Sequence, residues 1–327
     1  MRRLALTLAL FAAFAIPAVS QIDDPINVDS TIVRLNVGVV DRQGRPVTNL
    51  EKPAFTIYED GVKQPIVGFE PSTAPFSVVL MLDMSGSTLP FRQILKQAAN
   101  RFIYALGPED RVAVVEFYDR VNLRNDFTTN GKTILHSIDA SNGRGKTRLF
   151  DALDFALGKL ANEKGRRKAI IVLSDGVDSI AQAADRDLLS GMPDDKVPNA
   201  VKPDGYAPMA EVLRKSSKLG VSIYPLALPT GDPAKLADPT PRQVEMYRAA
   251  RERFAFLAER TGATIRTINR LEDMGRLYAE VAADLRTLYT IDYQPLNTGR
   301  DGKWHSIKVE VADPSLISRT RTGYFAQ

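Results

Sequence analysis

The chain has 327 residues, of which 44% are hydrophobic and 25% charged, with a formal net charge of +4 and no cysteine. This is the composition of a globular protein with a real core and room for two ordinary domains. It excludes disulfide staples, thiol chemistry, zinc–thiolate sites and a lipidated N-terminal cysteine, and the absence of a long basic run argues against a nucleic-acid surface.

The chain opens with Arg2-Arg3, the apolar run Leu4 to Ala18, and the small-x-small motif Ala18-Val19-Ser20. That order reads as a secretory signal peptide over residues 1–20, cut after Ser20. An uncleaved anchor is the alternative, but a run of 15 residues falls short of the roughly 20 that span a bilayer. Cleavage removes Arg2 and Arg3 and no acid, so the formal charge falls from +4 to +2. The expected protein is exported, periplasmic or extracellular, with no stable membrane span after cleavage.

Residues 28–70 read as β-strands. Val33, Leu35, Val37 and Val39 alternate with polar or small residues, the period of a half-buried strand. Asp41-Arg42-Gln43-Gly44 marks a turn, and Glu59-Asp60-Gly61 a hairpin between Phe55–Tyr58 and Val62–Phe69. After the linker Pro71–Pro75 the pattern becomes strand–helix alternation over residues 76–288. Buried strands are expected at Phe76–Leu82, Val112–Phe117, Ala169–Leu173 and Val221–Leu228. The helices between them include one opened by Pro90 and one carrying Leu149, Leu153, Ala156, Leu157 and Leu160. Later stripes run through Met209–Leu219, Val244–Leu257 and Leu271–Leu288. Asp178 to Ala207 is the longest stretch expected to be irregular. Residues 289–327 return to β, with Ile307, Val309 and Val311 alternating and Arg319–Phe325 as one more strand.

The fold class is therefore α/β, a mostly parallel sheet between helices. The strands of residues 28–70 and 289–327, too few apart, are expected to form one small Ig-like sandwich with the α/β domain inserted between its halves.

The chemistry concentrates where strands end. Phe76–Leu82 runs into Asp83-Met84-Ser85-Gly86-Ser87, which sets a carboxylate and two hydroxyls at alternate positions. Ala169–Leu173 runs into Ser174-Asp175-Gly176, and Gly143-Arg144-Gly145-Lys146-Thr147 precedes a helix. Ligands of open α/β sheets bind beyond the carboxyl ends of the strands. Oxygen-only donors there suit a hard divalent cation, Mg²⁺ before Mn²⁺ or Ca²⁺.

In these residues the chain resembles the von Willebrand factor type A domain, whose metal-ion-dependent adhesion site has the pattern Asp-x-Ser-x-Ser, a distant Thr, then a distant Asp. Asp83, Ser85, Ser87, Thr147 and Asp175 match all five positions in order. The segment Gly44–Gln64 is similar to one in exported bacterial proteins with a related domain. The resemblance implies that Ser85 and Ser87 bind the cation directly, that Thr147 does so when a ligand is present, and that Asp83 and Asp175 act largely through water. It implies an open coordination position for an Asp or Glu of a partner protein, hence binding or adhesion rather than catalysis.

Rival readings are weaker. A phosphatase of the haloacid dehalogenase class needs a second carboxylate where Ser85 stands. Gly145-Lys146-Thr147 mimics the end of a phosphate-binding loop, but Ala140 occupies the position of its first glycine. His136 and His305, the two histidines, read as surface or packing residues, Trp304 as sandwich packing, Arg166-Arg167-Lys168 as a solvated strand entrance, and Asp119, Asp126 and Asp139 as solvated loop acids. A structural or envelope-assembly module, its metal serving only the fold, is the main alternative function.

Overall fold

The computed structural model describes residues 32–326, apart from 232–233, 235–236, 269, 298 and 300. Residues 31–327 form one compact unit; the expected signal peptide lies outside the described residues. In chain order the strands are β1 (Val33–Val40), β2 (Phe55–Glu59), β3 (Val62–Gln64), β4 (Ile66–Glu70), β5 (Phe76–Asp83), β6 (Arg111–Phe117), β7 (Val121–Thr128), β8 (Arg167–Ser174), β9 (Val221–Ala227), β10 (Arg266–Thr267), β11 (Leu288–Tyr293), β12 (Trp304–Val311), β13 (Ile317–Arg319) and β14 (Gly323–Phe325). The helices are α1 (Arg92–Ala105), α2 (Gly131–Ala140), α3 (Leu149–Ala161), α4 (Ser179–Leu189), α5 (Ala207–Leu219), α6 (Pro241–Arg260) and α7 (Met274–Thr287).

The central sheet has the order β10-β9-β8-β5-β6-β7, parallel throughout except for β6 with β7. Every residue of β5 and β8 is buried, as expected of strands covered on both faces. Val78, Leu80 and Leu82 pack with Phe102 of α1 and Tyr278 and Val281 of α7. Val79 and Met81 turn to the other face, toward Leu153 and Leu157 of α3 and Phe254 of α6. The pleat thus divides one apolar run between two cores, and each such side chain contributes about 1.5–3 kcal/mol by leaving water.

The remaining strands form two four-stranded antiparallel sheets, β13-β1-β11-β4 and β14-β12-β2-β3. They share one core that includes Leu35, Val37, Ile57, Tyr289, Ile291 and Tyr293. Each sheet draws strands from both ends of the described chain, because neither group alone has a second layer on which to bury its apolar face.

Several local expectations are corrected. Asp178 to Ala207 is irregular only after Leu189: the Asp178 side chain accepts from the amides of Ile180 and Ala181 and opens α4. The following loop is pinned by the buried Glu245 carboxylate, which accepts from the amides of Asn199 and Val201 at 3.0 and 2.8 Å. Pro90 lies in a 3₁₀ turn, Gly86–Phe91, and α1 begins only at Arg92. The Thr88 hydroxyl ties that turn to the carbonyls of Asp83 and Ser85 at 2.9 and 3.0 Å. The stretch Arg319–Phe325 is two short strands, β13 and β14, and belongs to both sheets.

Arg167 and Lys168 are buried within β8 rather than solvated at its entrance. The Arg167 guanidinium stacks 4.0 Å over the Phe76 ring and donates to the carbonyls of Ala74 (2.7 Å), Leu285 (3.2 Å) and Leu288. Burial pulls its pKa down to about 10. Ala74 and Leu288 lie on the two passages between the sandwich and the central sheet, so one side chain ties both. Replacing Arg167 by Met leaves these carbonyls without a donor, and should lower the unfolding free energy by about 2–4 kcal/mol in urea titration. A loss below about 0.5 kcal/mol, the scale of an ordinary surface substitution, would show that the tie is not needed.

Candidate metal centre

The parallel pairing of β5 with β8 matches Leu82 to Leu173, so the residues that follow emerge side by side at the carboxyl edge. Asp83 is wholly buried. One carboxylate oxygen accepts from the Ser85 amide at 2.9 Å, the other from the Ser174 hydroxyl at 2.5 Å. Ser174 in turn accepts from the Gly176 amide at 3.0 Å. The hydroxyls of Ser85 and Ser87 lie 3.1 Å apart in the first part of the 3₁₀ turn. Asp175, also buried, accepts from the Val177 amide at 3.0 Å. Burial raises its pKa, against the Ser87 hydroxyl and the charge of Arg251.

Thr147 reaches this edge on the loop between α2 and α3. The Gly86 amide donates to the Gly145 carbonyl at 3.0 Å, joining that loop to the serine turn. The Thr147 amide donates to the Ser179 hydroxyl at 2.9 Å, and the Ser179 amide returns a bond to the Thr147 carbonyl at 2.9 Å. Two glycines let the loop pass. A Cβ on Gly143 would meet the Tyr118 ring at 2.3 Å, and Gly145 has φ +105°, which disfavours any side chain. Arg92 fastens the same corner, donating to the carbonyls of Met84 (2.6 Å) and Gly143 and to the Asn142 side chain (2.7 Å).

Burial, and then the nearby charge of Asp175, push the Asp83 pKa up; burial also raises that of Asp175. Two adjacent carboxylates withdrawn from water repel one another. The surrounding donors are oxygens of carboxylates and hydroxyls, the set preferred by a hard divalent cation. Asp83, Ser85, Ser87 and Asp175 are linked through these contacts, and Thr147 joins them through its loop.

The sequence reading gave no role to Ser174, Thr88, Arg92 or Ser179, which position the five. Ser174 stood beside Asp175 as the only hint. Of the acids read as loop residues, Asp126 lies in β7 with Lys159 at 2.5 Å, Asp139 in α2, and Asp119 alone in a turn by the Thr147 loop. His136 is exposed on α2.

His305 is buried in the sandwich, where its ligand atoms and those of Glu59 and Asp60 lie within 4.8 Å of one another. This group is already internally satisfied. His305 Nδ1 is 2.7 Å from Asp60 and Nε2 3.3 Å from Asp301, while Glu59 accepts from the Tyr293 and Tyr324 hydroxyls. Burial opposes protonation of His305, but Asp301 and Asp60 outweigh it and raise its pKa.

Residues 78–177 match the family model of the von Willebrand factor type A domain. No curated protein matches the sequence. Among solved structures, the chain is similar to an aerotolerance-related membrane protein from Bacteroides fragilis, at 14% identity over 64% of this chain and 98% of that one, TM-score 0.46. It is similar to the von Willebrand factor domain of the type V pili tip protein Mfa5 from Porphyromonas gingivalis, at 14% identity over 64% and 95%, TM-score 0.45. A von Willebrand factor type A protein from Catenulispora acidiphila aligns over 91% of this chain and 74% of its own, at 11% identity and TM-score 0.46.

The raised carboxyl pKa values have a signed consequence. A carboxyl whose pKa is raised by folding favours the fold fully below its unfolded value near 4, and that contribution is lost as pH rises through the folded value. With chelator present, stability should therefore fall between about pH 4 and neutrality. Asp83→Asn, which keeps the shape and removes the charge, should raise chelated stability above neutral pH by on the order of 2 kcal/mol. Denaturant titrations across this range check it; a variant less stable than the parent at neutral pH would contradict the assignment.

Proposed function

Given that the chain carries a von Willebrand factor type A domain, we propose that it is an exported protein that captures a partner protein through a divalent cation at this edge. Asp83, Ser85, Ser87, Thr147 and Asp175 would hold the cation, Mg²⁺ before Mn²⁺ or Ca²⁺. The observation that carries the reading is the convergence of two buried strand ends. Asp83 and Asp175 are close enough to act on each other's charge, with the serine turn bonded to the Thr147 loop.

The contacts support the division of labour that the resemblance implies. Asp83 is already engaged by Ser174 and the Ser85 amide, which leaves it to supply charge from behind. The hydroxyls of Ser85 and Ser87 stand together at the front of the turn. A hard cation held mainly by neutral oxygens keeps its attraction for a further carboxylate, and an Asp or Glu of a partner is the group to supply it. No second acid stands at Ser85 to move a proton, so the reading is of binding without catalysis. Among the described residues no helix is long and apolar enough to cross a membrane.

Saturating Mg²⁺ at a hundred times its Kd should add about 2.7 kcal/mol of stability, read as a raised melting temperature. The Asp83→Ala/Ser85→Ala variant should show no such shift. Pulldown from an envelope extract should then recover a partner with Mg²⁺ and release it to chelator. A wild-type melting curve indifferent to Mg²⁺ and Mn²⁺ sinks the proposal. A shift without cation-dependent capture would instead support a metal that serves only the fold.

A further inference from the structure

The rim of the Asp83 site carries a charge pattern that the five residues do not explain. Arg144 and Lys146 flank Gly145 on the Thr147 loop, and both are exposed. Among the described residues neither has a carboxylate within salt-bridge distance. Arg148 on the same loop, by contrast, pairs with Asp151. The loop is not a freely moving tether: Gly143 packs against Tyr118, and the Gly145 carbonyl is bonded to the serine turn. The two cations are therefore held at the mouth of the site. Arg144 is close enough to act, after burial, in lowering the pKa of Arg92, which itself grips the Met84 carbonyl. The charge of Arg251 of α6 acts on Asp175.

We propose that the partner is recognised through an acid-rich segment, one carboxylate going to the cation and its neighbours to Arg144 and Lys146. This rests on the reading of the site as a socket for an acidic side chain. Two unpaired cations beside a carboxylate socket complement a run of Asp and Glu, and such complementarity sets partner choice and encounter rate more than raw affinity. A nucleic-acid partner would need a longer basic track to neutralise successive phosphates, and the loop offers two positions separated by one glycine.

The test uses fluorescein-labelled octaglutamate and a matched octapeptide with one Glu among Gln residues. Anisotropy is followed in Mg²⁺ and in chelator, for the parent and for Arg144→Glu/Lys146→Glu. In Mg²⁺, octaglutamate should bind the parent about 3- to 10-fold more tightly than the single-Glu peptide, the scale of two exposed charge contacts. The double variant should abolish that preference while keeping the Mg²⁺-induced melting shift. Equal affinity for the two peptides, a preference retained by the variant, or binding of neither peptide overturns the inference. So does tighter binding of an oligouridylate than of octaglutamate. Loss of the Mg²⁺ melting shift in the parent is a different failure, that of the metal site itself.

Discussion

A carboxylate placed at the end of a strand buried on both faces is the constraint around which this protein is arranged. Asp83 cannot reach water, so its oxygens must be met by protein groups or by a cation. Ser174 comes from the neighbouring strand and the Ser85 amide from the turn that follows. The Ser174 contact depends on the parallel register of β5 with β8, in which Leu82 faces Leu173. A slip of one residue would turn Asp83 toward an apolar layer and bring Leu82 to the edge. The apolar packing of the sheet and the chemistry of its rim are thus one requirement.

The corner around Asp83 is built from groups that bind no ligand themselves. Thr88 bonds back to Asp83 and Ser85, Arg92 gathers the carbonyls of Met84 and Gly143, and Ser179 exchanges bonds with Thr147. Each satisfies a backbone group that the abrupt turns after β5 and α2 would otherwise leave unpaired. The result is a set of hydroxyls whose positions are fixed by protein contacts, which would reduce the ordering cost of any cation bound there. Arg167 extends the same logic to the far end of the sheet, where it fastens the passages to and from the sandwich.

What could be read in advance followed from periodicity. The alternation in β1 and β12 and the unbroken apolar runs of β5, β8 and β9 named their own faces. Elements lacking such a signature were missed. β7 has only one fully buried residue, Phe127, and its ladder with β6 is irregular. α4 buries Asp185 among its few inward positions, and that residue is acceptable there only because Arg253 of α6 meets it with two bonds of 2.6 Å. Arg167 and Lys168 read as solvated for the same reason: charge in a sequence signals water until a partner distant in the chain supplies the compensation.

By itself, then, the sequence determined the α/β class and the existence of strands at both ends, because each rests on local pattern; Asp83, Ser85, Ser87, Thr147 and Asp175 came together only through the resemblance to the type A domain. Only the tertiary structure decided that β5 and β8 are neighbours, that the Ser174 hydroxyl meets Asp83, and that, among the described residues, Arg144 and Lys146 have no carboxylate within salt-bridge distance. Those facts depend on contacts between residues far apart in the chain, as with Ser174 and Asp83 at a separation of 91. Such pairings are chosen by the burial of whole sheet faces, and no single stretch of chain contains them.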